Sequence, residues 1–203
     1  VSYLQFLAPA LLASAAISAA MDECIFPVME GFVWVKSFWT TSATQITPAQ
    51  IVVGLWVTAA IRAAGTVLLY ALVVLLFGAI PATAIPALLF SAVFAGLAFG
   101  AVMMAASSYM AEDDQFFNIV FRFIVMPMFL FSGTFYPLET MPIYLQWIGW
   151  ISPVWHATNL GRFLSYGSSV EPWLVLVHFA FLGALCFVGL KIAFRKFESR
   201  LLS

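Results

Sequence analysis

The residues of this chain that could do chemistry are few and scattered. His156 or His178 could serve as a base, and Ser152 or Ser165 as a nucleophile. Acyl transfer and hydrolysis need such groups held in register, as in His-x-x-x-Asp, His-Glu-x-x-His or Gly-x-Ser-x-Gly. None of these patterns occurs, so the isolated Ser and His residues read as caps and interface anchors. Three adjacent acids, Glu112, Asp113 and Asp114, could attract magnesium, but no phosphate-binding element accompanies them and a solvated turn is the simpler reading. A phosphate loop places Lys after Gly so that backbone N–H groups and the ammonium hold phosphates together. Here Lys36, Lys191 and Lys196 follow Val, Leu and Arg, which leaves the chain without an ATP site.

The elements that must position these residues follow from composition. Of the 203 residues, 64% are hydrophobic and 8% charged, against roughly 45–50% and 25% in a soluble domain. Lipid is therefore the solvent, and the net charge of −1 offers no field for nucleic acid. A bilayer core takes about 20 apolar residues per helix. Five stretches qualify: Tyr3 to Ala20, Ala63 to Ile80, Ile85 to Met110, Phe116 to Phe135 and Trp173 to Leu190. In lipid each must pair its backbone internally, which selects helices. The expected fold is one all-α, polytopic integral membrane bundle over residues 1–203.

Lys and Arg collect on the cytoplasmic side of short loops. A cytoplasmic C-terminus places Lys191, Arg195, Lys196 and Arg200 inside together with Lys36, Arg62 and Arg122, and leaves Arg162 outside. Five spans put the termini on opposite sides, and the chain starts at Val1 almost directly in a helix. Six spans are expected in the full protein, with a preceding span missing here. Met21, Asp22 and Glu23 make a poor signal-peptidase site. Cys24 and Cys186 fall where disulfides do not usually form and read as free thiols.

In "PVMEGFVWVKSFW", Val28, Phe32, Val35 and Trp39 recur at helical spacing with Glu30, Lys36 and Ser37 off the stripe. The spacing predicts a helix lying along the inner membrane surface, either an anchor or a lever against a cytosolic partner. Thr47 and Pro48 then suit the first turn of the next helix. Ala92, Gly96 and Gly100 at four-residue spacing permit close helix approach, within the chain more readily than in a dimer. From Tyr136 to Glu171 the prolines Pro142 and Pro153 divide two short helices, with Ser152 as a cap. Trp147, Trp150, Trp155, Tyr144 and Tyr166 suit a membrane interface. This segment reads as a helical hairpin re-entering the outer leaflet, with "GTFYPLETMP" as its hinge.

The order of a cytoplasmic helix, "TPAQIVVG", an acidic inner turn and "FSGTFYPLETMPIYLQWIGWISPVWHATNLGR" resembles the membrane subunit of ABC-2 type transporters. The likeness covers essentially the whole chain and is greatest to the daunorubicin-exporter and nodulation-factor-exporter branch. It implies a homodimer or heterodimer of permeases in the cell membrane, driven by separate ABC ATPase subunits that hold ATP and magnesium. This chain itself would need no cofactor or metal. It implies export of a hydrophobic or lipid-like substrate such as a drug, a lipid or a lipid-linked saccharide. The family's coupling helix maps onto residues 27–42, with Glu30, Phe32, Val35, Lys36 and Trp39 as candidate contacts. Its substrate-lining spans map onto the first and fourth stretches, making Phe6, Ser14, Phe121, Met126, Met128 and Phe129 candidate path residues. Its signature hairpin, residues 136–171, carries Pro137, Pro142, Pro153 and Arg162 as a candidate outer gate.

An ion-coupled secondary transporter is the rival. It normally needs carboxylates deep in the membrane. All nine acids are expected at span ends or in loops, and His178 alone within a span.

Overall fold

The computed structural model describes residues 3–110, 115–167 and 171–202. Every regular element among them is helical, and four helices are long and apolar enough to cross a membrane. The acidic turn Glu112 to Asp114 lies outside the described residues.

Helix α1 (Tyr3–Met29) does not stop at Ala20. It continues to Met29 and through a π turn at Glu30–Trp34. Met21, Cys24, Ile25 and Val28 lie on its buried sides, and Glu23 meets Arg62 of the next long helix at 2.6 Å. That ion pair lets the helix run on where two acids had suggested an exit to water. The expectation that all nine acids lie at span ends or in loops is thus corrected for Asp22 and Glu23, which lie within α1.

Lys36 adopts a left-handed conformation with φ 60°, which ends the helical run before the short α2 (Ser37–Ser42). The single amphipathic surface helix expected over residues 27–42 is therefore broken. The wider π repeat and the reversal at Lys36 also split its apolar stripe. Val28 and Phe32 are buried, whereas Val35 and Trp39 are exposed.

Helix α3 (Pro48–Leu76) starts with a complete capping box. The Gln50 N–H donates to the Thr47 hydroxyl at 3.3 Å, and the Thr47 N–H donates to the Gln50 side-chain oxygen at 2.8 Å. Val52, Ala59, Ala63, Val67 and Ala71 form its buried face, while Ile61, Leu69 and Leu72 point outward into what composition assigns to lipid.

Helix α4 (Ile85–Ser108) is the central element, packed by α1, α3, the last helix and the hairpin. Its small residues explain how. A Cβ on Gly96 would sit 2.7 Å from the Ala16 carbonyl oxygen, and one on Gly100 would sit 3.1 Å from Cys24 Sγ. The stripe is an internal seam between α1 and α4. On another side of α4, Gly189 of the last long helix presses against the backbone of Ala101.

The expected span Phe116 to Phe135 is shorter than anticipated. It consists of α5 (Gln115–Val120), a π turn at Phe121–Val125 and α6 (Met126–Phe131), followed by Gly133 at φ 73°. Its apolar part, Phe117–Phe131, falls below the length of the four spanning helices.

The hairpin follows as α7 (Ile143–Ile151) and α8 (Pro153–Tyr166), with the Ser152 hydroxyl accepting from the Val154 N–H at 3.2 Å and Gly167 closing α8 in the left-handed region. α7 exposes Tyr144, Trp147 and Trp150. α8 instead buries Val154, Ala157, Leu160 and Gly161, the last against Pro9, Ser91 and Leu88. The second half of the hairpin is thus part of the core. Helix α9 (Pro172–Leu201) completes the bundle.

Candidate transport groove and docking surface

Three adjoining cavities of about 420, 210 and 270 Å³ lie along one side of α1, from Leu11 to Phe26. At 1.5 Å per residue that side of α1 is about 22 Å long. Ser14, Phe121, Met126, Met128 and Phe129, expected from different spans, meet in the middle cavity with Ser18, Val125 and Val154. Phe6 does not join them. Its ring lies 3.7 Å beneath the Arg162 guanidinium, and its carbonyl accepts from Arg162.

The groove has two kinds of wall. The π turn and α6 contribute phenylalanine and methionine, which repack around varied shapes. Ser14 and Ser18 of α1 face that wall in the middle cavity, and Phe129 extends it into the 420 Å³ cavity, where Ser14, Ser18 and Asp22 recur every four residues along α1 and Arg62, Thr66 and Tyr70 do so along α3. Because these helices run antiparallel, the two polar ladders stand in opposite order, with Asp22 and Arg62 at one end and Ser14 and Tyr70 at the other. Ser18, Thr66 and Tyr70 were not singled out from the sequence, and Asp22 was weighed there only as part of a cleavage site. The four-residue spacing was legible, but its meaning depended on the two helices being neighbours.

The coupling candidates separate by burial. Glu30, Val35, Lys36 and Trp39 are exposed, and so is Trp34, which sequence reasoning passed over. Phe32 is 3% exposed and belongs to the core beneath them. Its ring stands edge-on to Phe197 at 4.8 Å and to Phe38 at 5.1 Å, with the Arg200 guanidinium 4.1 Å above it. Arg200 also donates to the carbonyls of Ser108 and Met110 at 2.7 and 3.0 Å, a cation placed on the C-terminal carbonyls of α4. The exposed segment therefore rests on a joint that ties α1, α4 and α9 together.

At the opposite end, Arg162 is the organising side chain of the hairpin. It donates to the Phe6 carbonyl at 3.1 and 3.3 Å and to the Gly133 carbonyl at 3.1 Å. α8 is thereby fastened to the start of α1 and to the turn after α6. Pro137 and Pro142 flank the 3-10 turn Leu138–Thr140, and Pro153 opens α8. His156 and His178 also meet here, their Nδ1 atoms 2.8 Å apart, while His156 Nε2 lies 2.9 Å from the Trp150 carbonyl. That carbonyl can only accept, so with both rings neutral His156 carries its proton on Nε2 and His178 donates from Nδ1. The pair holds α7, α8 and α9 together. Among the described residues no group of three or more His, Cys, Asp and Glu is placed to hold a metal ion.

The family of ABC-2 type transporters matches residues 40–166. Nodulation protein J of Rhizobium leguminosarum bv. viciae is 29% identical over 195 residues, covering 92% of this chain and 70% of that protein. Nodulation protein J of Rhizobium meliloti (strain 1021) is 29% identical over 196 residues, 92% and 69% of the two chains. Probable multidrug ABC transporter permease YbhR of Escherichia coli (strain K12) is 37% identical over 73 residues, 36% of this chain and 20% of that one. No solved structure matches the chain. Its apolar helical bundle and the match over residues 40–166 together make this chain a multi-pass membrane protein of the ABC-2 type transporter family, a membrane permease subunit of an ABC transporter.

Proposed function

We propose that this permease exports a hydrophobic or amphiphilic molecule across the cell membrane along the α1 groove, powered by separate ABC ATPase subunits that hold ATP and magnesium. The observation that carries this reading is the groove itself, where a repackable Phe and Met wall facing Ser14 and Ser18 runs on, through Phe129, into a cavity lined by polar residues of α1 and α3. A second permease, identical or homologous, would complete the path.

The ATPase would dock on the exposed end of α1, at Glu30, Trp34, Val35, Lys36 and Trp39. That end of the bundle also carries Arg195, Lys196 and Arg200, which supports a cytoplasmic position for it and for the C-terminus. The opposite end would face outward, with the Pro142 and Pro153 hairpin over the exit. Asp22 and Glu23 inside α1 are carboxylates that an ion-coupled carrier could use, and uptake that follows a proton gradient without ATP would favour that alternative.

The test separates the two layers of the docking segment. Glu30→Lys changes an exposed charge and should leave folding stability within about 0.5 kcal/mol of wild type, and folded yield with it, while weakening co-purification of the ATPase subunit. Phe32→Asp puts a charge among Phe38, Phe197 and Arg200 and should lower folded yield first. If Glu30→Lys and Trp34→Ala both leave ATPase binding and substrate-stimulated hydrolysis unchanged, this segment is not the docking surface.

A further inference from the structure

We propose that the groove along α1 binds lipophilic cations, with the Asp22 carboxylate as the group that selects their charge. This rests on the reading of the groove as the transport path and adds a substrate class to it.

Asp22 lines both the 420 Å³ cavity, beside Arg62, Thr66 and Tyr70, and the adjoining 270 Å³ one, beside Phe26 and Phe117. Its neighbour Glu23 takes the Arg62 guanidinium at 2.6 Å, whereas Asp22 makes no hydrogen bond or ion pair within 4 Å among the described residues. With all three groups charged, two carboxylates and one guanidinium leave one surplus negative charge. That charge lies within an apolar helix, where Arg62, already bonded to Glu23, is the cation near Asp22, and the surplus carboxylate charge favours a further cation. The rest of the groove suits a cation of one kind. Phenylalanine and methionine along Phe121, Met126 and Phe129 accommodate apolar bulk, and aromatic faces attract a desolvated positive charge. A small hydrated metal ion would find neither a ligand set nor a use for that wall. A neutral lipid would leave Asp22 unpaired.

The probe is tetraphenylphosphonium, a permanent cation that no change of protonation alters, with tetraphenylborate as its counterpart of the same shape and opposite charge. The chain is placed in nanodiscs of phosphatidylcholine, and free probe is read with a selective electrode against empty discs. Wild type should show saturable tetraphenylphosphonium binding that tetraphenylborate does not share. Asp22→Asn should weaken it about tenfold or more, the scale of one charge-assisted contact, and Asp22→Glu should restore most of it. Arg62→Gln should move affinity the opposite way, because it releases Glu23 and adds negative charge to the groove.

Folding of each variant is checked by monodispersity, and Asp22→Glu keeps the test readable if Asp22→Asn assembles poorly. Several results overturn the proposal: no saturable binding in wild type, equal binding by Asp22→Asn, or weakening by Arg62→Gln as large as that by Asp22→Asn. The last would mean that groove shape, not charge, is being measured. The assay needs no ATPase, so its failure leaves ATP-driven export standing. Failure to recover an ATPase partner likewise leaves the binding result intact.

Discussion

Removing the Arg162 side chain should loosen one end of the bundle selectively. Arg162 is 7% exposed, and its guanidinium donates to the Gly133 and Phe6 carbonyls and lies 3.7 Å over the Phe6 ring. In Arg162→Ala the Gly133 carbonyl loses this partner in a buried setting, which costs about 1–3 kcal/mol. The desolvated cation–π contact adds about 2 kcal/mol. Phe6 keeps its helical partner, so its carbonyl adds little. Relief from burying a charge offsets part of the loss, and the void left by the side chain adds to it. A net destabilisation of about 3 kcal/mol is expected. Arg162→Lys should recover less than half, because an ammonium cannot both stack on Phe6 and reach two carbonyls in fork geometry. Unfolding in mixed micelles with increasing dodecyl sulfate measures the energy, and amide exchange locates it. Protection should fall around Gly133 and at the start of α1 while the buried face of α3 keeps its protection. A loss below about 1 kcal/mol, or exchange that rises equally throughout, would refute the clasp.

Three further outcomes follow from the same packing. Gly96→Ala should destabilise by about 1–3 kcal/mol because its Cβ meets the Ala16 backbone, while Gly65→Ala, in open space on α3, should be neutral or stabilising by up to about 1 kcal/mol; the two are compared by the same micelle titration. His178→Leu should cost about 1–3 kcal/mol by leaving His156 Nδ1 without its donor, and His156→Leu combined with it should cost less than the sum of the single changes. Pro142→Ala with Pro153→Ala should impair export in vesicles without lowering folded yield, since both prolines stand at helix starts rather than inside helices; unchanged export would make the hairpin a passive cover.

The elements were legible where one local rule decided them. Apolar runs marked α3, α4 and α9, and Thr47, Pro48, Ser152 and Pro153 announced two helix starts because capping and ring geometry act within a single turn. The Ala92, Gly96 and Gly100 stripe pointed to a close helix contact before its partner was known.

What lay beyond the sequence was every property that requires a neighbour. Asp22 and Glu23 looked like the end of a span because an isolated helix would expose them; Arg62, 39 positions on in the chain, makes it possible for α1 to continue. Phe32 and Trp39 belonged to one stripe by spacing, yet the π turn and left-handed Lys36 send one into the core and the other outward. Phe6 and Ser14 were grouped by membership of one helix, and the approach of α8 gave Phe6 to Arg162 while leaving Ser14 in the groove. Composition and periodicity therefore determined that this chain is a bundle of membrane helices and roughly where each begins. Tertiary packing decided which polar residues face one another, because only contact between helices turns a four-residue spacing into a groove.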